Sequence, residues 1–338
     1  MNTLRKIMEK INTEVGFTGL LRYDEPMAGH TTFKVGGPAD VWVRPEGEGF
    51  PEYAAVLRDT ARSEGIPVFI LGAGANLVVS DQGIRGIVLD TTAWEGCDFA
   101  QGEHAGYDGG NPGRSAVVIR SGTGVDDAVT AVAERNWGGL EFLAGMPGSM
   151  GGALWMNARC YEKSISDVLI ETEILDESGN RRWVPCKTED YGYKKSPFQA
   201  RDMVILSARF ALEYRPQGEI RQDMDTNRQD REAKGHYRFP SAGSVFKNNR
   251  QFGKPTGKII DELGLRGLRI GGAEVASWHG NIIINTGNAT AGDICALVAL
   301  VTEKTKAARG IILEPEVLFA GDWQNSNTPP AYQRHLGP

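Results

Sequence analysis

The sequence is poor in cysteine, and its cysteines form no metal-binding or redox pattern. Cys97, Cys160, Cys186 and Cys295 lie far apart in a chain of 338 residues, and no C-x-x-C pair occurs. Structural zinc sites and disulfide frameworks use closely or regularly spaced cysteines. The sequence therefore supports neither a metal site nor a disulfide framework, and the pattern is typical of reduced thiols in a cytoplasmic protein.

Long hydrophobic runs and basic blocks are also absent. No stretch approaches the roughly 18 apolar residues of a membrane span, and residues 1–14 interleave charged with apolar residues, unlike a signal peptide. The net charge is −6, without a long run of Lys or Arg. We therefore expect neither nucleic acid nor a membrane as a partner.

Glycine, in contrast, is abundant, with 43 residues, about twice the usual share. Because glycine allows positive φ and a close approach of backbone to a ligand, this excess predicts a site built from loops. The chain is long enough for two or three domains. Its mixture of strand and helix patterns, including a hairpin over 168–186 and a helix over 291–309, predicts an α+β fold.

One stretch, FILGAGANLVVSD at 69–81, places a Gly-x-Gly turn between two apolar runs. The N–H groups of such a turn point into one concavity, which suits phosphate. A Rossmann site would need a third glycine and a helix, but Leu77 takes the place of that glycine and 76–86 is predicted as strand and turn. Taken alone, the stretch slightly favours a glycine hairpin that binds no ligand.

The densest glycine run is GLEFLAGMPGSMGGA at 139–153. A packed core would avoid such a run, because glycine costs backbone entropy and adds no side-chain contacts. The run is expected where bare backbone lies against a flat ligand or a diphosphate. After it, 213–234 is strongly charged with helical spacing, which predicts a helix with a solvated face and a domain boundary near residue 215.

Six segments together resemble one family, the UDP-N-acetylenolpyruvoylglucosamine reductases, and they occur in the family's order. The resemblance implies an FAD-binding fold of the vanillyl-alcohol-oxidase (PCMH) type over 1–215, with two α+β subdomains. It also implies a C-terminal α+β substrate domain over 216–322, whose final strand, 311–319, returns to the active site, and a flexible tail over 323–338. The loop lengths look like those of the second type of the family. The segments are TTFKVGGPAD (31–40), LGAGANLVVSDQGIRGIVL (71–89), GLEFLAGMPGSMGGALWMNA (139–158), PSAGSVFKN (240–248), LRIGGAEVASWHGNIIINTGNATA (268–291) and LEPEV (313–317).

This resemblance implies an FAD-dependent oxidoreductase that uses NADPH to reduce UDP-N-acetylglucosamine enolpyruvate to UDP-N-acetylmuramate. NADPH first delivers hydride to bound FAD, and the reduced flavin then passes it to the vinyl carbon of the enolpyruvyl group. The reaction is a cytoplasmic step of peptidoglycan synthesis, and so of cell wall biogenesis, cell shape and cell division. The implied partner is a small sugar-nucleotide substrate, and we expect a monomer.

The resemblance also assigns cofactor contacts, mostly to main-chain groups of the glycine turns. The first turn would bind the FAD diphosphate, and the run at 145–152 would lie beside the flavin ring. The positions assigned to FAD are Gly72, Ala73, Gly74, Ala75, Asn76, Ser80, Gly122, Gly124, Gly145, Pro147, Gly148, Ser149, Gly151, Gly152 and Asn157.

Three side chains are implied as catalytic. Ser244 would donate a proton to the substrate carbon, Glu316 would protonate or polarise the substrate carboxylate, and Lys194 would stabilise the enolate charge. Lys194 stands where the family has Arg, and it offers a point charge in place of a bidentate fork. Arg159 is a second candidate for that cation. Glu314 is expected to face water. The residues implied to bind substrate are Tyr193, Lys247 and Asn248.

Two other functions remain open. Another flavin-dependent oxidoreductase of the same superfold would explain the first 215 residues but not PSAGSVFKN or LEPEV. A catalytically impaired relative that binds a sugar nucleotide or flavin is compatible with Lys194. Flavin content and bleaching by NADPH distinguish these functions.

Overall fold

The computed structural model describes residues 2–99, 114–200 and 202–323. Trp323, the first residue of the predicted tail, is buried, and the rest of that tail lies outside the described residues. The helices are α1 (Asn2–Val15), α2 (Phe50–Ser63), α3 (Val125–Ala133), α4 (Met150–Trp155), α5 (Gln217–Ala233), α6 (Thr256–Glu262) and α7 (Ala291–Arg309).

The described strands range from two residues to the eleven of Val204–Tyr214, and together with the helices they confirm the predicted α+β class. The strands are β1 (Gly19–Pro26), β2 (Pro38–Pro45), β3 (Val68–Leu71), β4 (Leu77–Val79), β5 (Ile84–Asp90), β6 (Cys97–Phe99), β7 (Arg114–Arg120), β8 (Trp137–Gly138), β9 (Arg159–Cys160), β10 (Lys163–Ser164), β11 (Leu169–Leu175), β12 (Arg181–Pro185), β13 (Val204–Tyr214), β14 (Arg269–Ile270), β15 (Ala273–Val275), β16 (Ile283–Asn285) and β17 (Leu318–Ala320).

The chain divides into two compact units, each assembled from separate stretches of sequence. The first unit contains Met1–Leu21, Val43–Ala73 and Leu89–Asp230, and the remainder forms the second unit. These boundaries differ from the predicted division at 215, because 22–42 and 74–88 belong to the second unit and most of α5 belongs to the first. The two inserted stretches carry family segments whose neighbours in the fold are far away in sequence, so composition alone gave no sign of them.

The first unit is built on an antiparallel sheet in the order β12-β11-β13-β7-β6, with β8 paired to β13. The predicted hairpin is confirmed as β11 and β12, which pair from Glu171 with Pro185 to Leu175 with Arg181. One face of the sheet and helices α3 and α4 share a core of buried aliphatic and aromatic side chains. Ile220 and Met224 of α5 join this core, which explains why the charged helix belongs to the first unit.

The second unit contains the antiparallel sheet β14-β15-β16 and the parallel pair β4 and β17. Helix α7 packs its buried residues against this unit's core, which includes Phe246 and Phe319. Its predicted bounds, 291–309, are confirmed. Thr290 and Asp293 form a capping box at the start of α7, and Gly310 ends it with a left-handed φ of 68°, in agreement with the usual helix signals.

Candidate active site

The first glycine turn begins where β3 ends, and its first half packs on a serine of the same unit. The Ala73 N–H donates a hydrogen bond to Ser149 Oγ at 3.4 Å. A side chain at Gly72 would collide with the same hydroxyl. Glycine at this position leaves room for the Ser149 hydroxyl beside the Ala73 N–H, whether or not a ligand is bound.

The second half of that turn belongs to the second unit and packs on the TTFK segment. Gly74 has a φ of 62°, and a Cβ there would collide with the carbonyl oxygen of His30. Thr32 N–H donates to Gly74 O at 3.2 Å. Gly74 is thus needed by the fold, and the glycine turn is a packed corner of the chain.

The two other glycine segments of the first unit pair with each other. Met150 N–H donates to Thr123 O at 2.9 Å, and Gly151 N–H donates to Ser121 O at 2.8 Å. A Cβ at Gly151 would lie 2.9 Å from that of Ser121, too close for two carbon atoms. Packing within the unit also requires glycine at Gly122, whose added Cβ would collide with the carbonyl oxygen of Thr91, whereas a Cβ at Gly124 would displace the Asp127 carboxylate.

Gly152 differs from these glycines. It lies in α4, is exposed, and a Cβ at this position would meet only Ser149 Oγ, at 3.6 Å. No contact among the described residues requires glycine here, although glycine in a helix is unfavourable. A surface of bare backbone at this point fits the flat ligand expected beside 145–152, so the residues present are compatible with FAD.

Gly145 and Gly148 have φ values of 72° and 123°, which favour glycine at both positions. The Gly145 N–H donates to Asp126 Oδ1 at 2.7 Å, and Arg228 of α5 donates to both oxygens of the same carboxylate at 3.0 Å. This N–H is therefore used within the unit. The face of α5 predicted to be solvated instead supplies the cation that holds this turn.

Several polar side chains assigned to FAD make hydrogen bonds inside their own unit. Ser149 caps α4, with its hydroxyl accepting from Gly152 N at 3.5 Å. Asn157 is buried, and its amide donates to Gly192 O at 2.8 Å and accepts from Ser166 N at 3.3 Å. Ser80 is buried and accepts from Gln82 N at 3.1 Å. Their cofactor contacts remain predictions.

Lys194 lies in a two-residue turn closed by hydrogen bonds of 3.0 and 3.1 Å between Gly192 and Lys195. Its φ is 56°, in the left-handed region, and its ammonium lies 6.0 Å from the ring centre of the exposed Tyr193. Arg159, the alternative cation, lies in the β9–β10 hairpin. There it pairs with Glu162 at 2.7 Å and with Ser164 at 3.1 Å, so its charge is already engaged.

The second unit brings Ser244 and Glu316 together through one intervening residue. Glu316 N–H donates to Val245 O at 2.7 Å, and Ser244 pairs with Ile282 on the other side. Both candidate catalytic residues are half-buried. The segment 244–246 therefore lies as an extended chain between residues 281–282 and LEPEV.

The same unit joins this pair to the glycine turn. Asn76 Nδ2 donates to Glu316 O at 3.0 Å, and Leu318 N–H donates to Asn76 O at 3.0 Å. Strand β17 then continues parallel to β4. The last residues of the turn assigned to FAD are thus bonded directly to the segment that carries Glu316.

Lys247 and Glu314 form an ion pair on the surface of the second unit. Lys247 Nζ lies 2.6 Å from Glu314 Oε1, and Glu314 is 60% exposed, which agrees with its predicted exposure. Asn248 is exposed, and its side-chain Oδ1 accepts a hydrogen bond from Thr256 N at 2.9 Å. The structure places Lys247 and Asn248 directly after the Ser244 segment but does not test their predicted substrate contacts.

Asn281 is a residue that the sequence analysis missed. Its side chain is 2% exposed, accepts from Phe246 N at 2.9 Å and donates to Phe246 O at 2.8 Å. It therefore pairs with the Ser244 segment as a neighbouring strand would. The available signal was an amide side chain directly before the apolar run 282–284. His279 Nδ1 accepts from Asn281 N at 3.1 Å, and burial lowers the pKa of His279.

Within 2–99, 114–200 and 202–323, no group of three or more His, Cys, Asp or Glu side chains could hold a metal ion. No helix in this described part of the chain is long and apolar enough to cross a membrane.

Comparisons with known proteins match both parts of the chain. The model of the C-terminal domain of UDP-N-acetylenolpyruvoylglucosamine reductase matches residues 235–320, and an FAD-binding domain model matches 50–184. The Treponema denticola protein named UDP-N-acetylenolpyruvoylglucosamine reductase is 38% identical over 337 residues, covering 96% of this chain and all of the relative. The Borrelia garinii subsp. bavariensis protein of the same name is 36% identical, with 94% and 97% covered.

A solved structure agrees with these matches. The crystal structure of the enzyme of this name from Thermus caldophilus aligns with a TM-score of 0.69 and 30% identity, over 90% of this chain and 99% of that one. Together with the FAD-binding domain match, it confirms the predicted arrangement of an FAD-binding fold and a reductase-type C-terminal domain.

Proposed function

This chain belongs to the UDP-N-acetylenolpyruvoylglucosamine reductase family, and from this premise we propose how its own residues serve the reaction. The chain is an FAD-dependent enzyme that uses NADPH to reduce UDP-N-acetylglucosamine enolpyruvate to UDP-N-acetylmuramate, a step of peptidoglycan synthesis. The assignment of residues depends on one observation. The Ser244 segment pairs with the Glu316 segment, and the Glu316 segment in turn bonds to Asn76. Without this pairing, the two side chains could not act on one substrate group.

The FAD would be held mainly by main-chain groups. FAD, when bound, accepts electrons from NADPH and passes them on to the enolpyruvyl group. The exposed backbone at Gly152 offers a surface on which a flat ring can lie, and Asp126 fixes the neighbouring turn through the Gly145 N–H. Ser149 and Asn157 stabilise the chain around this surface, because Ser149 Oγ accepts from Gly152 N and Asn157 Nδ2 donates to Gly192 O.

Ser244 donates the proton that the substrate carbon needs. A serine hydroxyl is a weak acid, so it donates only to a strong base, and the enolate carbon formed during the reduction is such a base. A positioned donor of this kind contributes typically 10²–10⁴-fold. The extended pairing on both sides of the 244–246 segment holds Ser244 in one place.

Glu316 acts on the substrate carboxylate, where charge develops. Its main chain is fixed by Val245 and Asn76, so its side chain starts from a fixed place beside the Ser244 segment. Lys194 supplies a positive charge that stabilises the enolate. Tyr193, Lys247 and Asn248 bind the sugar nucleotide, with Lys247 exchanging its Glu314 partner for a phosphate.

We propose further that the protein acts as a monomer in the cytoplasm. The substrate is a nucleotide sugar and the reductant is NADPH, both of which are made there. The low cysteine content and the absence of a basic block in the sequence agree with this location.

Colour tests the proposed function most simply. The purified protein should be yellow, anaerobic NADPH should bleach it, and the enolpyruvyl nucleotide should then restore the colour with formation of one UDP-N-acetylmuramate per FAD. Bleaching without restoration would contradict the reductase function and favour another flavin oxidoreductase. A protein that binds no flavin after reconstitution with FAD would contradict both.

A further inference from the structure

The turn that carries Lys194 is held in an unfavourable conformation. Lys194 has a φ of 56°, where a side chain with a Cβ is disfavoured by about 1–2 kcal/mol. Lys194 and Tyr193 are the two central residues of the turn. A strained residue persists only when its surroundings impose the strain, and such residues concentrate at functional sites.

The surroundings of this turn are three side chains that bond to main-chain carbonyls. Gln199 Nε2 donates to Lys194 O at 3.1 Å and to Trp155 O at 2.8 Å. Ser196 Oγ donates to the same Trp155 carbonyl at 2.7 Å, and Asn157 Nδ2 donates to Gly192 O at 2.8 Å. The turn is therefore fastened at both ends to the chain that directly follows the glycine run.

Trp155 provides the main-chain carbonyl to which Ser196 and Gln199 bond. It is the last residue of α4, and the last carbonyls of a helix have no partner within the helix. Ser196 and Gln199 take up this free acceptor. The end of the helix that starts at the glycine run is thereby bonded to the segment that carries Lys194.

We propose that Gln199 is a positioning residue for Lys194, and this inference rests on the proposed function. An Arg at this position would orient a carboxylate or enolate by its planar fork, whereas a Lys ammonium is a point charge on a flexible stem. With Lys in place of Arg, the direction of the charge must come from the backbone. Gln199 sets this backbone by bonding the Lys194 carbonyl to the end of α4.

The test is a double-mutant cycle in the FAD-loaded protein. Gln199→Met keeps the length of the side chain and removes its donors, and Lys194→Ala removes the charge. Gln199→Met should slow the oxidation of the reduced protein by the enolpyruvyl nucleotide about tenfold, while bleaching by NADPH stays within about twofold of the unsubstituted protein. In the Lys194→Ala background, Gln199→Met should have no further effect on that oxidation, because residues that act through one another are not additive.

Gln217 offers a matched control. Its Nε2 also donates to two main-chain carbonyls in the same unit, those of Ala133 and Glu134 at 3.4 and 3.2 Å. Gln217→Met should leave both half-reactions unchanged. Hydrogen exchange of the peptide spanning 192–196 in the FAD-bound protein gives a readout that does not depend on activity, and it should rise in Gln199→Met only.

The outcomes distinguish a failure of the proposed function from a failure of the positioning role of Gln199. If the unsubstituted protein never oxidises with the enolpyruvyl nucleotide, the proposed function fails. If it does, and Gln199→Met slows oxidation equally with and without Lys194, or leaves exchange at 192–196 unchanged, the positioning role of Gln199 is wrong. Equal slowing of both half-reactions by Gln199→Met would also contradict it.

Discussion

The two units hold their candidate catalytic side chains in different ways. In the second unit, Ser244 and Glu316 lie on extended segments that pair along the main chain, with the buried Asn281 completing the pairing. In the first unit, Lys194 lies on a two-residue turn that side chains fasten from outside. Main-chain pairing depends little on the identity of the paired residues, whereas a turn held by side chains depends on each of them.

This difference bears on where the chain departs from its family. The departure that the resemblance implies, Lys194 for Arg, lies on the fastened turn, and the paired segments PSAGSVFKN and LEPEV are among the segments that carry the resemblance. A turn held by Gln199, Ser196 and Asn157 keeps its shape when the half-buried residue 194 changes.

We expect the largest effect on the reaction from changing one carboxyl of LEPEV at a time. Glu316→Gln should slow oxidation by the enolpyruvyl nucleotide about a thousandfold, as expected for loss of a positioned acid. Glu314→Gln removes only an exposed ion pair, so its effect should stay within about threefold. Rapid-mixing measurements under anaerobic conditions give both rates, and equal losses in the two variants would contradict the assignment of Glu316.

Asn281 tests whether pairing holds the Ser244 segment. Asn281→Leu leaves a buried N–H and carbonyl of Phe246 without partners, which should lower the free energy of unfolding by about 2–4 kcal/mol. Oxidation by the enolpyruvyl nucleotide should slow as well, because Ser244 loses its fixed place.

Asn285→Leu is the matched control for Asn281→Leu. Asn285 is also buried in the second unit, and its side chain bonds to Phe33 O, Gly287 N and Ala289 N but to no group of the 244–246 segment. It should lose stability without a change in oxidation rate at a temperature where the variant stays folded. The two variants are compared by urea denaturation, and loss of oxidation in both would assign the effect to stability alone.

Lys194→Gly tests the backbone strain and the charge of the turn in the first unit. Glycine relieves the left-handed strain, so the free energy of unfolding should rise by about 1 kcal/mol, while oxidation by the enolpyruvyl nucleotide falls about a hundredfold through loss of the charge. Lys34, exposed and with a φ of 58°, is the control, since Lys34→Gly should give the same gain in stability at unchanged activity. Loss of stability in Lys194→Gly would contradict strain at this turn.

The smallest expected effect is a pH dependence from His279, beside Asn281. Burial lowers the pKa of His279 below its ordinary value of 6.5, and Arg266 and Lys234 add to this effect while Asp261 opposes it. The folded protein therefore binds the His279 proton less tightly than the unfolded chain does. The stability is fully present above pH 6.5 and is lost as the pH falls through the lower, folded pKa.

Urea denaturation between pH 5 and about 8 checks this sign. In the unsubstituted protein, the free energy of unfolding should fall more steeply toward low pH than in His279→Gln. Identical slopes in the two proteins, or a steeper fall in the variant, would contradict the lowered pKa of His279.

Elements with strong local signals were predicted from the sequence with correct bounds. Helix α7 has capping residues at its start and a glycine at its end, and the β11–β12 hairpin has a clear turn. The family segments predicted the cofactor and reaction class, because six motifs in order are specific where one glycine turn is not. These signals are local or depend on sequence order, and both are visible in a single chain.

The division into units and the reasons for the individual glycines were not predictable. Residues 22–42 and 74–88 join the second unit through partners more than a hundred residues away, such as the pairing of β4 with β17, which leaves no local trace. Gly74 and Gly152 are the same residue type, so residue type alone does not distinguish them. Only the structure shows that packing requires the first and that the second is free of such a requirement.

The most direct test of the central claim, that Ser244 protonates the substrate, is a rapid-mixing measurement on Ser244→Ala with bound FAD. Bleaching by NADPH should proceed at the rate of the unsubstituted protein, and oxidation by the enolpyruvyl nucleotide should slow by about a thousandfold or more. Oxidation at an unchanged rate, or equal slowing of both half-reactions, would contradict the claim.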